Sequence, residues 1–250
     1  MQVIVFKYYK MKKLQFLLFG LLAFVMTSCE DTSGEFITNQ LTYSQMENAF
    51  SDCLSLATTI AVEYLCPEDE EDYAQHYGFY EDQNEAYRIT LPTAARAIVD
   101  SLTAPEQGAL SDSMVLHINR AAEASGSAIG SAFSTARSSL TYVNHKTLAS
   151  SYYTTALTNY FKTQCYSKIR QSLLSPVQLK LSEKGVPEEW NNILSAYYAY
   201  NPQPVSIDLY GYIVDKMMEG VFAEMAKAEK LIRTDATWQI TESLQLVFGN

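Results

Sequence analysis

A long helical pattern runs through residues 111–140, SDSMVLHINRAAEASGSAIGSAFSTARSSL, and it decides the fold class. Because each residue advances about 100° around a helix, its apolar and small side chains gather on one side. They are Met114, Ile118, Ala121, Ala122, Ser125, Ile129, Ala132 and Ala136. Either Ser111 or Asp112 can cap the first turn. The pattern predicts one amphipathic helix that ends at about Leu140 and buries that side in a helical domain.

A polar ridge borders the apolar side of this helix. Asn119 and Glu123 face together, one turn apart, and Arg120 lies further round. Gly126 and Gly130 continue the ridge. A glycine inside a helix costs about 1 kcal/mol relative to alanine, so two of them predict the close approach of another segment. The polar groups form either the floor of a cleft, a hydrogen-bond network between helices, or a surface ion pair. We favour the second or third interpretation over the cleft.

Helical spacing of apolar residues continues through most of the remaining chain. Further helices are predicted at 41–65, 91–102, 146–170, 179–184, 208–232 and 235–248, with one more beginning at Pro187. Ser175-Pro176 is predicted to interrupt the helical pattern, and only residues 87–90 resemble a strand. The chain is therefore predicted to be all-α, a single domain of about seven helices in an irregular bundle over residues 41–250.

An acidic loop is predicted over residues 67–87. Seven acidic side chains lie between Glu68 and Asp82, which makes a calcium loop conceivable. The D-x-[DN]-x-[DN]-G spacing of such a loop is missing, so we favour a solvated loop.

The N-terminus has the pattern of a lipoprotein signal peptide. Two lysines precede an apolar run at 14–26, and Thr27-Ser28-Cys29 follow. A basic start, an apolar core and small residues before a cysteine are typical of an export signal with a lipid attachment site. The core is shorter than the roughly 20 residues that span a bilayer. The expected segments are a signal peptide at 1–28, with 1–10 as an upstream extension, an acylated Cys29, and a linker at 29–40.

Removal of the signal peptide would leave an acidic protein. Residues 29–250 keep 14 of the 18 basic side chains and all 28 acidic ones, a formal net charge of −14. Nucleic acids and anionic lipid headgroups repel such a surface. We therefore expect no nucleic acid partner, and membrane contact through the lipid anchor on Cys29. Because Glu30-Asp31 follow Cys29, we expect retention in the outer membrane.

The sequence carries no recognisable catalytic or metal signature. It lacks G-x-S-x-G, H-E-x-x-H and a phosphate-binding glycine loop, and its three histidines are scattered. We therefore predict no catalytic nucleophile, no metal and no cofactor. Acid–base catalysis stays open because it needs only two placed carboxylates. Cys53 and Cys66 are close enough in sequence to suggest a disulfide across a helix end, which the sequence leaves open.

Tyrosine clusters provide a second set of candidate sites. The residues concerned are Tyr152, Tyr153, Tyr160, Tyr197 and Tyr198. Exposed tyrosine rings can stack on sugars or line an apolar pocket, since each ring has an apolar face and a polar tip. Packing in the core is the alternative that helical spacing favours, although adjacent tyrosines cannot all face one core.

Several motifs occur in an order that resembles a known family. They are Gly78-Phe79-Tyr80, Arg88-Ile89-Thr90-Leu91-Pro92, NRAAE at 119–123, Ala156-x-Thr158-x-Tyr160-Phe161-Lys162, Asp208-Leu209 with Tyr212, Lys216 and Gly220-x-Phe222, Glu229-x-x-Ile232-Arg233-x-Asp235, and Val247-Phe248-Gly249. Over residues 78–249 the chain resembles the bacterial family called domain of unknown function 4197. The resemblance implies an exported, mostly helical protein, often a lipoprotein, without an assigned activity. Residues 41–77 diverge from that pattern.

Two functions fit these observations. The favoured one is a non-enzymatic envelope lipoprotein that binds another envelope protein or a small ligand. The alternative is a carboxylate-dependent hydrolase acting on cell-wall or glycan material, with Glu123 and Glu229 as the first residues to test. The candidate polar cluster consists of Asn119, Arg120, Glu123, Glu229 and Arg233. An open cleft would favour chemistry there, and a packed interface would favour a structural role.

Overall fold

A computed structural model describes residues 41–67, 78–80, 86–102, 106–150, 152 and 154–249 of the 250-residue chain. The predicted signal peptide, Cys29 and the linker lie outside the described residues, as do Tyr153 and most of the acidic loop. Within the described residues, no helix is both long and apolar enough to cross a bilayer.

The described chain forms one compact all-α unit, as predicted. Its nine α-helices are α1 (Tyr43–Leu65), α2 (Thr93–Ser101), α3 (Glu106–Glu123), α4 (Gly126–Ser138), α5 (His145–Ala149), α6 (Ala156–Glu183), α7 (Val186–Tyr198), α8 (Leu209–Thr234) and α9 (Glu242–Phe248). A 3₁₀ turn, Ala236–Trp238, joins α8 to α9. No strand occurs in this part of the chain, so the strand-like residues 87–90 do not form one.

Helix α1 lies at the centre of the packing. Thr42 begins it with a capping box, in which its hydroxyl accepts a hydrogen bond from the Gln45 N–H and the Gln45 side chain accepts one from the Thr42 N–H. The helix packs most extensively on α8 and also contacts α4, α5 and α9. Its buried side includes residues at helical spacing along the sequence, namely Phe50, Leu54, Ala57, Ala61 and Leu65.

Helix α8 is the second central element, because it buries residues on most of its circumference. It packs between α1 and α6, and α6 in turn contacts α3, α4 and α7. Helix α2 covers α7 and α3. The core therefore consists of three long helices, α1, α6 and α8, with shorter helices around them.

The predicted helix over 111–140 is wrong in one respect, because it is two helices. It begins earlier, at Glu106, and breaks at residues 124–125. The Ser125 hydroxyl donates to the carbonyl of Ala121 at 2.8 Å, which offers the backbone an alternative to continued helix. Gly126 then begins α4 at a point where α1 approaches closely.

Two further boundaries differ from the predictions. The expected helix over 146–170 divides into α5 and α6, because the backbone between them binds side chains of α8. The expected break at Pro176 is absent, and α6 continues through the proline. Proline costs a helix interior about 3 kcal/mol. Burial of Leu173, Val177 and Leu181 on both sides of Pro176 offsets that cost.

Candidate functional site

Glu123, at the end of α3, binds the backbone of a distant segment. Its Oε1 accepts hydrogen bonds from the N–H groups of Phe79, at 2.8 Å, and Tyr80, at 3.1 Å. Its Oε2 accepts one from Arg120 Nη1 at 2.8 Å. The side chain has no exposed surface. Glu123 therefore holds residues 78–80 against α3 and cannot contact a molecule from solvent.

The N–H groups reach Glu123 because of Gly78, whose φ is +106°. A Cβ at this position would lie 2.5 Å from Glu123 Oε1. Only glycine adopts this backbone conformation at no steric cost and leaves room for the carboxylate. The Gly78-Phe79-Tyr80 motif is thus the partner of Glu123.

Asn119, one turn earlier on α3, binds a second piece of backbone. Its Oδ1 accepts from the Ile89 N–H and its Nδ2 donates to the Ile89 carbonyl, both at 2.8 Å. Nδ2 also donates to the carbonyl of Val115 at 2.7 Å. The amide therefore satisfies both polar groups of a buried, non-helical residue.

Arg120 completes this arrangement, which we call the α3 clamp (Asn119, Arg120 and Glu123). Its guanidinium lies 5.4 Å from the centre of the Tyr80 ring, and that of Arg88 lies 4.6 Å from it. Arg88 also donates two hydrogen bonds to the Tyr80 carbonyl, at 3.0 and 2.6 Å. Two cations over one ring fix Tyr80 between α3, which carries Arg120, and the segment before α2, which carries Arg88.

Glu229 and Arg233 form a separate unit, the α8 clamp. Glu229 is fully buried, and its carboxylate accepts from the N–H groups of Leu157, at 3.0 Å, and Thr158, at 2.7 Å. These groups belong to the first turn of α6, which has no side-chain cap of its own. Glu229 therefore caps α6 from another helix, and its charge complements the helix N-terminus.

Arg233 binds α5, the helix that precedes α6 in the chain. Its Nε donates to Glu229 Oε1 at 2.8 Å. Its Nη2 donates to the carbonyl of Leu148 at 2.7 Å, and Nη1 donates to that of Ser150 at 3.2 Å. Both carbonyls lie at the C-terminal end of α5, where a cation is favoured. The α8 clamp thus joins the end of α5 to the start of α6.

The five residues of the candidate polar cluster do not converge in one cleft. They divide between the α3 clamp and the α8 clamp, and each clamp is a packed interface. Asn119 and Glu123 form a buried hydrogen-bond network, but it joins α3 to non-helical backbone and not to a second helix as predicted.

Burial shifts two pKa values near the clamps. It raises the pKa of Glu123 above its ordinary value, although Arg120 and the two N–H donors partly offset the effect. Burial also raises the pKa of the Cys53 thiol, and the charge of nearby Glu229 adds to that shift. A buried thiol held protonated is a poor nucleophile.

An open groove lies between α1 and α4. It has a volume of about 780 Å³. Hydroxyl side chains come from both helices, with Glu63 and Arg137 among the charged residues of the lining. The hydroxyl residues are Ser55, Thr58, Thr59, Ser127 and Ser134. Asn119 does not line it, and Glu123 borders it without exposing its side chain.

The two glycines of α4 explain the shape of this groove. A Cβ on Gly126 would lie 2.8 Å from the Cys66 Cβ, whereas a Cβ on Gly130 would meet nothing within 4 Å. The predicted close approach is therefore correct at Gly126 and wrong at Gly130. The two helices touch at Gly126, leave open space at Gly130, and are joined again where Arg137 donates to the carbonyl and hydroxyl of Ser51.

The predicted aromatic candidates occupy two places. Tyr152 and Tyr160 line a hollow of about 470 Å³ at the start of α6. Tyr197 and Tyr198 lie at the end of α7, with their ring centres 5.8 Å apart. The Tyr198 hydroxyl accepts from the Val205 N–H at 3.0 Å, so this pair holds the following loop.

Some polar groups that join helices were missed by the sequence reasoning. Asp52 on α1 accepts hydrogen bonds from Thr241 and Ser243 at the start of α9. Asp215 on α8 accepts two from Arg170 on α6, at 2.8 and 3.2 Å. No local pattern identifies these pairs, because the partners are separated by 45 residues or more.

The cysteines and metal ligands also have defined positions. Cys53 and Cys66 lie thirteen residues apart on one helix and its cap, a separation of about 20 Å along the axis, so they cannot form a disulfide. Both are buried free thiols. Among the described residues, no group of three or more Cys, His, Asp or Glu side chains could hold a metal ion.

Comparison with known proteins places the chain in a family. A family model described as "Protein of unknown function (DUF4197)" matches residues 40–249. No curated protein and no solved structure matches the chain. The matched range includes the segments on which the resemblance was based, and also α1, which lies in the stretch that diverges from those motifs. The chain therefore belongs to the family of proteins of unknown function called DUF4197.

Proposed function

We propose that this protein is an envelope lipoprotein, anchored through Cys29, whose helical domain binds a small polar molecule in the α1–α4 groove without catalysing a reaction. The observation that carries the proposal is the groove itself. It opens where α4 separates from α1 at Gly130, and its walls present hydroxyl groups from both helices. Hydroxyls donate and accept hydrogen bonds, which suits an uncharged or zwitterionic polar ligand.

The engagement of the carboxylates supports binding over hydrolysis. A general acid or base must come within hydrogen-bond reach of the reacting atom. Glu123 and Glu229 have no exposed side-chain surface, and each already accepts two backbone N–H groups and an arginine. A hydrolase acting on cell-wall or glycan material would have to break these clamps before either residue could react.

The anchor is tested by fractionation of the envelope. Wild-type protein should float with outer-membrane vesicles, and Cys29→Ala should leave it unprocessed or released. A Cys29→Ala variant that is processed and still floats with the outer membrane would contradict the anchor.

The groove is tested by native mass spectrometry of protein purified from its own envelopes in mild detergent. The expected result is an added small-molecule mass that Gly130→Trp removes, because the indole would fill the open groove. Ser131→Trp is the matched control, since Ser131 is exposed on the same helix and does not line the groove. A bound mass that survives Gly130→Trp, or no bound mass in either protein, would contradict the proposal.

A further inference from the structure

Three large side chains are exposed at the end of the domain where α1 begins. Tyr43 is 65% exposed, Val143 is 50% exposed and Tyr152 is 83% exposed. We call these residues the aromatic rim. They are separate from the α1–α4 groove, whose lining contains none of them.

The rim residues are linked through His145 and through a shared hollow. Tyr43 stacks on His145, with 4.4 Å between ring centres, and His145 follows Val143 by two residues. Val143 and Tyr152 line the same hollow, which also contains Tyr160. Tyr160 is held in place, because its hydroxyl donates to the carbonyl of Thr141 at 2.7 Å. The rim therefore rests on ordered structure.

This surface differs in charge from the rest of the molecule. Among the described residues that line the hollow, none is charged. The nearest carboxylate along α1, Glu47, contacts His145 at 2.7 Å, and the exposed Lys146 follows His145 in the sequence. The mature chain as a whole has a net charge of −14. Anionic headgroups repel most of this protein, and the rim is a place where that repulsion is weak.

The position of the rim in the chain points to its occupant. Tyr43 follows the predicted lipid attachment site, Cys29, by fourteen residues, and a chain of that length spans at most about 50 Å. A short tether gives the rim a high effective concentration at the bilayer, so contacts too weak to bind alone can still orient the domain. Tyrosine is favoured at the headgroup level of a membrane because its ring is apolar and its hydroxyl is polar.

We infer that the aromatic rim is the face that the tethered domain lays against the lipid headgroups. The inference rests on the anchor of the proposed function, and it adds an orientation. Tyr43, Val143 and Tyr152 enter the interfacial layer, while Lys146 lies near lipid phosphates.

Depth-dependent fluorescence quenching tests this inference. The mature chain is coupled through Cys29 to a maleimide lipid, in vesicles of phosphatidylethanolamine and phosphatidylglycerol. The other three cysteines are buried and have raised thiol pKa values, so the coupling selects Cys29. Tyr152→Trp is compared with Tyr200→Trp, since Tyr200 is 85% exposed and follows α7. Emission from Trp190 and Trp238 is subtracted with the parent protein.

The expected result is that lipids brominated near the headgroup quench the tryptophan at position 152 several-fold more than the one at position 200. Equal quenching at both positions, or none at 152, would overturn the inference. Shielding of position 152 that increases with the density of protein in the vesicle, and does not depend on brominated lipid, would indicate that the rim contacts a second copy of the chain. That result would also overturn the inference. Because the lipid is attached chemically in this experiment, a negative result would not bear on the natural anchor. The natural anchor is tested separately by flotation of the Cys29→Ala variant.

Discussion

Asn119 and Ile89, thirty residues apart, are joined by two hydrogen bonds between one side-chain amide and both polar groups of one backbone residue. The pairing replaces the bonds that a neighbouring strand would supply in a sheet. It fixes the non-helical segment before α2 against α3. Asn119 is fully buried, so water cannot substitute for it.

Removal of this amide should destabilise the fold. Asn119→Ala leaves the buried N–H and C=O of Ile89 without partners, at a cost of about 1–3 kcal/mol in the free energy of unfolding. Urea denaturation followed by circular dichroism measures it. Asn192→Ala, at an exposed position of α7, is the control and should change stability by less than about 0.5 kcal/mol. Equal effects of the two substitutions would show that the Ile89 pairing contributes little.

The α8 clamp should show strong coupling between its two charges. Glu229→Met leaves Arg233 as a buried charge without its carboxylate and should cost about 3–5 kcal/mol. The double variant Glu229→Met, Arg233→Met should be less destabilised than Glu229→Met alone, because no buried charge remains. A double-mutant cycle in urea gives the coupling free energy. For the exposed pair Lys180–Glu183, Glu183→Gln should cost less than about 0.5 kcal/mol.

The two glycines of α4 should respond in opposite directions to alanine. Gly130→Ala places a methyl group in open space and should stabilise the fold by up to about 1 kcal/mol, because alanine favours helix. Gly126→Ala brings a Cβ within 2.8 Å of the Cys66 Cβ, so α1 and α4 must separate. The melting temperature should rise for the first variant and fall for the second. A rise for both would mean that the helices yield easily at Gly126.

Glu123 should make the stability depend on pH. Burial raises its pKa in the folded chain above the value of 4.5 for an ordinary glutamate. A raised carboxyl pKa contributes stability that is complete below pH 4.5 and is lost as the pH rises through the folded value. The unfolding free energy of the wild type minus that of Glu123→Gln should therefore decrease as the pH rises from that range to neutrality. If this difference in unfolding free energy increased with pH, the pKa of Glu123 would be lowered on folding and not raised.

The helical class and the buried side of α1 could be predicted because both depend on local periodicity. The structural role of Asn119 and Glu123 was also accessible, since two polar residues beside glycines favour a packed interface. Their partners were not, because Phe79, Tyr80 and Ile89 contribute only backbone groups. Backbone groups cannot be recognised from a pattern of side chains. The exception is the glycine at position 78, which lets Phe79 and Tyr80 reach the carboxylate.

The breaks within helices were harder to predict for a related reason. Pro176 has a strong local preference against a helix interior, and burial of its neighbours on α6 overrides it. The division between α5 and α6 arises from Arg233 and Glu229, which lie more than 70 residues further along the chain. Long-range partners determine where these helices begin and end, and local helix propensity alone does not predict those positions.

The α8 clamp also bears on when this chain can fold. The ends of α5 and α6 need Glu229 and Arg233, and Asp52 near the N-terminus needs Thr241 and Ser243 near the C-terminus. A chain that emerges with its N-terminus first cannot complete these contacts until almost its whole length is available. An exported protein must stay unfolded while it passes through a translocation channel. For the exported lipoprotein that we propose, late closure of both ends would keep the chain unfolded until its passage through the channel is nearly finished.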